Sequence, residues 1–156
     1  MVEEPVYRIT WGASPAVITG KDGVLSFYRS VGEAVLWNSD DRLAVADWGI
    51  CDELTFHQLA RGADLQAIGY EVDDPDALYH TSSRQAFIWP YDSRARLIGE
   101  NLYEDKTSLA VEEVIADEAI TPARVREIHR EQLAKLEDER GENFWVLETQ
   151  EALASA

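Results

Sequence analysis

The chain of 156 residues has one cysteine, Cys51, and one methionine, Met1. A lone cysteine excludes an internal disulfide. It also excludes zinc sites built from four cysteines or from a cysteine pair and a histidine pair. In its sequence context Cys51 reads as a small buried hydrophobe. Positive charge is scarce too: 14 Lys and Arg stand against 30 Asp and Glu, a formal net charge of −16. Such a surface repels nucleic-acid phosphates and anionic membranes. The one basic concentration, Arg124, Arg126, Arg130, Lys135 and Arg140, alternates with Glu127, Glu131, Glu137, Asp138 and Glu139. It reads as a mixed helix face, not a phosphate stripe. No apolar run approaches the roughly 18 residues of a membrane span. The start, "MVEEPVYR", has neither the basic region nor the apolar stretch of a secretory signal. The expectation is a cytoplasmic protein with no nucleic-acid or membrane partner. No G-x-G-x-x-G, P-loop, H-E-x-x-H or G-x-S-x-G pattern occurs.

What the chain does have is 46% hydrophobic residues, enough for one core. "PVYRITWG" (5–12) alternates as a short strand. "TGKDGVLSFYRSVGEAV" (19–35) carries Val24, Phe27, Tyr28, Val31 and Val35 on one helical stripe, with a T-x-x-D capping pattern at Thr19 and Asp22. The acidic "NSDD" (38–41) predicts a hairpin turn. "RLAVADWGICDELTFHQLARG" (42–62) then predicts one long strand bent near Gly49, and "LQAIGY" (65–70) a return strand. "LYHTSSRQAFIWPY" (78–91), the turn "DSRA" (92–95) and "RLIGENLYED" (96–105) predict a further hairpin, while 107–120 is ambiguous. Thr121 and Pro122 open a helix over 121–140 as N-cap and first-turn residue, and Gly141 closes it. The whole predicts an α+β domain over 1–140 with an antiparallel sheet. The tail 141–156, with Phe144, Trp145, Val146 and Leu147, would dock on the domain or on a partner subunit.

Four segments in order carry a family resemblance. "GKDGVLSFYRSV", "DDRLAVADWGI", "HQLARGADLQAIG" and "FIWPYDSRARLIGENLYED" are similar to the SnoaL-like branch of the nuclear-transport-factor-2-like superfamily, over roughly residues 5–105. Ala95 stands where that family's closing hairpin usually has glycine. The resemblance implies a bent sheet wrapped against helices as a cone, with an apolar pocket at its open end. It implies acid–base chemistry on small hydrophobic molecules without metal or organic cofactor, as in its isomerase, dehydratase and cyclase members. Relatives begin with one or two long helices before their first strand. This chain starts almost at that strand, so an acid or base carried on those helices does not transfer. Either the helix over 121–140 or a second polypeptide is expected to cover the cone.

In an unbroken strand over 42–57, Asp47, Cys51, Glu53 and His57 share one face, and Trp48, Ile50, Asp52, Leu54 and Phe56 the other. Strand rise sets Asp47 about 33 Å from His57, but Glu53 only about 13 Å away. Two readings follow. In the first, His57 is the general acid/base, Asp47 or Glu53 orients it or acts as base, and His80 or Tyr103 polarises an oxygen. Trp48, Phe56, Arg84, Trp89 and Glu100 then line the site of a small hydrophobic or aromatic substrate in a homodimer. In the second, the fold is a non-catalytic ligand-binding or dimerisation module, or a subunit completed by another chain. Under that reading Asp47 and Glu53 are solvated and Arg84 pairs with Glu100. A two-histidine metal site at His57 and His80 would need neighbouring strands in register. His129 reads as structural.

Overall fold

The computed structural model describes residues 1–13, 15–31 and 34–140; Gly141 and the apolar tail lie outside them. Two compact units divide the chain, Met1–Ala119 and Ile120–Ala156.

Among the described residues the first unit holds a six-stranded sheet, two helices and a short 3-10 turn over Ala116–Glu118. The strands are β1 (Val6–Thr10), β2 (Ala16–Thr19), β3 (Val35–Ala46), β4 (Gly49–Arg61), β5 (Leu78–Pro90) and β6 (Gly99–Val114). Their order across the sheet is β2-β1-β6-β5-β4-β3. Every neighbouring pair is antiparallel except β1 and β6, which run parallel with Val6 opposite Gly99 and Ile9 opposite Leu102. The sheet is therefore mixed, where the run of sequential hairpins predicts an antiparallel one. β1 lies far from β6 in sequence, so no local turn constrains their direction.

Helix α1 spans Lys21–Val31, shorter than its apolar stripe. Gly20, at φ +76°, accepts the first helical bond from Val24 N–H at 3.1 Å. Thr19 closes β2 instead of capping the helix. Helix α2 (Gly62–Ala67) replaces the return strand expected at 65–70.

The largest departure concerns the first hairpin. "NSDD" is not a turn. β3 runs straight through it, absorbing one extra residue as a bulge between Ser39 and Arg42, with Asp40 at φ 56°. The turn is Asp47–Trp48, two residues between Ala46 and its partner Gly49. What reads as one strand bent at Gly49 is the tip of a hairpin. A Cβ at Gly49 would meet the carbonyl oxygen of Trp89 at 2.6 Å, so glycine is required where β3 hands over to β4.

The "DSRA" turn forms as expected. Asp92 accepts from the N–H groups of Arg94 and Arg96, each at 2.9 Å, and also pairs with the Arg96 guanidinium. Ala95 takes the left-handed conformation at φ 55° that suits glycine. Ala95→Gly is expected to raise stability by about 0.5–1 kcal/mol. A melting temperature no higher than wild type would remove the strain argument.

One face of the sheet is buried under α1 and α2. One cluster there is Tyr7, Ile9, Val24 and Leu102; the other is Ala60, Leu65, Tyr70 and Tyr79. In β4 the alternation places Asp52, Leu54, Gln58 and Ala60 on this face, while Cys51, Glu53, Thr55 and His57 take the more open one. The second unit carries α3 (Pro122–Arg140). Thr121 caps it as the sequence predicts: its Oγ1 accepts from Arg124 N–H at 3.2 Å and its carbonyl from Val125 N–H at 3.0 Å. Among the described residues no helix is long and apolar enough to cross a membrane.

Candidate active site

The open face holds a chain of hydrogen-bonded polar groups. His57 on β4 lies opposite Trp37 of β3 and opposite Ser82 of β5. His80 stands two residues before Ser82 on the same face, which makes it a diagonal neighbour of His57. His57 Nδ1 and His80 Nε2 are 3.0 Å apart, and His57 Nε2 is 2.9 Å from Ser39 Oγ. Ser39 Oγ lies 3.1 Å from Asp40 Oδ2, to which Thr55 Oγ1 also donates at 3.5 Å. The indole of Trp37 stacks on both imidazoles, 4.9 Å from His57 and 5.2 Å from His80, within 10° of parallel. Packing against the indole holds both rings in orientation.

Two proton arrangements satisfy these contacts. In one, a protonated Asp40 donates to Ser39, Ser39 donates to His57 Nε2 and His57 Nδ1–H donates to His80 Nε2. In the other, Ser39 donates to Asp40, His57 Nε2–H donates to Ser39, and His80 Nε2–H donates to His57 Nδ1. The chain therefore passes a proton between His80 and the exposed Asp40 by shifting each link once. Burial, then the neighbouring His80, push the His57 pKa below its ordinary value, and Asp40 opposes them. His57 is thus held in the neutral form that such a shift requires at neutral pH.

Beside the pair lies an open hollow of about 380 Å³ lined by Trp37, Leu59, His80, Val114, Ile115, Glu118 and Ala119. Its walls are mostly apolar, and His80 is the imidazole that borders it. Among the described residues no three of His, Cys, Asp and Glu group as a metal ion needs.

The ten residues proposed from sequence divide between the two faces and the hairpin tip. His57 and His80 come together. Asp47 sits in the exposed two-residue turn with Trp48, which is 54% exposed. Glu53 pairs with Arg84 in place of orienting His57, and both side chains are about half exposed. Arg84 therefore does not pair with Glu100, which faces the other way. Tyr103 is exposed and opposite Ala86. Phe56 packs on the buried face at 5.5 Å from Trp11. Trp89 and Glu100 meet on that face, the indole N–H donating to Glu100 Oε2 at 2.7 Å. Ser39, Asp40 and Trp37 are not among the ten. A turn at 38–41 removes Trp37 and Ser39 from the strand partners of His57. Moving the turn to Asp47–Trp48 and allowing one bulge brings Trp37 opposite it and Ser39 within reach.

The buried face carries a second polar group of interest. Glu100 is 5% exposed, with Trp89 as its close donor and Tyr28 at 3.5 Å. Tyr28 in turn meets Tyr7, oxygen to oxygen, at 3.0 Å. Burial raises the Glu100 pKa and outweighs those two hydrogen bonds. A carboxyl whose native pKa lies above the unfolded value binds protons preferentially in the folded state. Its contribution is therefore most favourable below the unfolded value of 4.5 and is lost as pH rises through the native value. Glu100→Gln keeps an acceptor for Trp89 and removes the charge. It is expected to be more stable than wild type by about 1 kcal/mol at pH 7, with the gap closing toward acid. Denaturant titrations at three pH values measure this, and a less stable variant at pH 7 would contradict it.

No protein-family model matches the chain, and no curated protein matches it significantly.

Proposed function

We propose that this protein is a cofactor-free acid–base enzyme acting on a small hydrophobic molecule, on a strongly bent sheet of the nuclear-transport-factor-2-like type. The reaction is an isomerisation, dehydration or cyclisation in which a proton is moved next to a carbonyl or hydroxyl. The observation that carries this reading is the 3.0 Å contact between His57 and His80 at the border of an apolar hollow. The substrate lies against Trp37, Leu59 and Ile115. His80 exchanges the proton with it. His57 replaces or removes that proton from behind, and Ser39 and Asp40 connect the relay to solvent. In this reading His80 is the group that meets substrate, and His57 is the relay. Glu53 and Asp47 have no part in it, since neither reaches the pair.

The test is a panel of β-hydroxy carbonyl compounds, unsaturated ketones and apolar enolisable ketones, followed by product formation and by deuterium uptake from solvent. Because His57 titrates below the usual histidine value of 6.5, the acid limb of kcat/KM is expected below that pH. A panel without any turnover or exchange, or an acid limb well above 6.5, would count against the relay.

A further inference from the structure

The same chain of contacts has the form of a nucleophile, a base and an orienting group. We propose that Ser39 is an activated nucleophile that accepts acyl or phosphonyl groups, which makes esters of small apolar acids a second substrate class. This rests on the histidine pair of the acid–base reading but asks something different of it. Ser39 Oγ is 2.9 Å from His57 Nε2, and the other nitrogen of the same ring is 3.0 Å from His80 Nε2. A serine within hydrogen-bond reach of an imidazole whose far nitrogen is held by a third group is the arrangement that activates a hydroxyl. His80 takes the place that a carboxylate often fills. In the tautomer in which it accepts the Nδ1–H of His57, it leaves Nε2 bare toward Ser39, and with Trp37 it holds the ring plane.

The backbone around Ser39 supports the assignment. Ser39 sits at the start of the β-bulge, next to Asp40 at φ 56°, a conformation that a non-glycine residue adopts at a cost. The register between the turn and Arg42, continued without a bulge, would set Asp40 opposite Thr55 and Asn38 opposite His57. The bulge instead places Ser39 opposite Thr55, on the face of the histidine. Ser82 lies directly opposite His57 in the ladder, but its hydroxyl makes no hydrogen bond to the ring. Selectivity for Ser39 over Ser82 is therefore a property of this geometry.

The reaction balances without any cofactor. Ser39 Oγ bonds to the carbonyl carbon of an ester while its proton passes to His57 Nε2. His57 then gives that proton to the departing alkoxide, and the acyl group remains on Ser39. A water molecule, deprotonated by His57 Nε2, then bonds to the acyl carbon; the bond to Ser39 Oγ breaks, His57 returns the proton to that oxygen, and the acid leaves. With a phosphonyl fluoride the sequence stops after the first step. The Oγ–P bond forms, fluoride leaves with the electrons of the P–F bond, and the serine proton stays on His57 until solvent removes it.

The experiment incubates the full chain with an alkyl fluorophosphonate and follows intact mass and peptide mapping. The expected result is one phosphonyl group on Ser39, no adduct in Ser39→Ala, and labelling slowed by about tenfold or more in His57→Gln. His80→Gln, which removes only the orienting group, is expected to slow labelling by an intermediate amount. An unlabelled wild type, an adduct on Ser82 or another serine, or equal labelling of Ser39 in wild type and a folded His57→Gln would overturn the proposal. Labelling needs no knowledge of the natural substrate. A chain that labels on Ser39 yet turns over nothing in the carbonyl panel would retain this assignment and lose the acid–base one. Turnover in the panel without labelling would retain the acid–base assignment and lose this one.

Discussion

Replacing His80 with glutamine is expected to lower turnover on any substrate of the acid–base panel by about a hundredfold, while leaving the fold intact. Glutamine retains a planar polar group against Trp37, so stacking is largely kept, but it cannot exchange a proton near neutral pH. His57→Ala should cost about as much, because it cuts the link between His80 and Ser39. The two losses should not add. Once either imidazole is gone the relay is broken, and a double variant falls no further than the worse single one. Glu53→Gln gives the contrasting expectation. It removes an exposed ion pair with Arg84, whose stabilisation is below about 1 kcal/mol, and should leave turnover near wild type. Steady-state rates for the four variants, with melting curves as a fold check, measure this. A His80→Gln protein as active as wild type would remove His80 from the chemistry. A Glu53→Gln protein crippled to the level of the histidine variants would return the carboxylate to it.

The largest stability effect is expected from Gly99→Ala. Gly99 opens β6 and is paired with Val6 in the parallel β1–β6 ladder. A Cβ there would run into the carbonyl oxygen of Val6, and other backbone atoms of Val6 stand at 2.9 and 3.1 Å. Backbone cannot step aside as a flexible side chain would. Relief requires β1 to move off β6, which strains the Val6 N–H to Ile98 bond of 3.1 Å. It would also lift Tyr7 and Ile9, 0% and 5% exposed, from the core that they form with Val24 and Leu102. The expected loss is about 3 kcal/mol, the upper end for overpacking, and a fall in melting temperature of roughly 10 °C. A variant that melts with the wild type would show that β1 and β6 are not held this closely.

Much of the local structure is legible in residue order. Thr121 and Pro122 mark the start of α3 because an unpaired helix N-terminus needs an acceptor and tolerates proline. Asp92 marks its turn because a short acceptor can reach the amides two and four residues on. The alternation through Ile50, Asp52, Leu54 and Phe56 separates the two faces of β4 correctly. Residues 38–48 do not follow local rules in this way. Four polar turn-formers in "NSDD" outweigh Asp47–Trp48 as a local turn signal. Yet ten of the twelve residues of β3 pair with β4 only if the reversal falls at Asp47–Trp48, and the ladder gained along both strands outweighs one bulge.

The sequence by itself determined that this is an α+β protein, that His57 and Glu53 share a strand face, and that Phe56 and Asp52 lie on the other. Those properties depend on a repeat of two along one strand and on turn chemistry spanning four residues. Only the tertiary structure decided which face is covered, because the core under the helices joins distant segments, as Val24 of α1 meets Leu102 of β6. It also decided that β1 runs parallel to β6 and that His57 finds His80 instead of Glu53. Strand order and register are set by hydrogen bonds and side-chain packing between distant segments. A single-residue bulge is enough to choose which side chains meet.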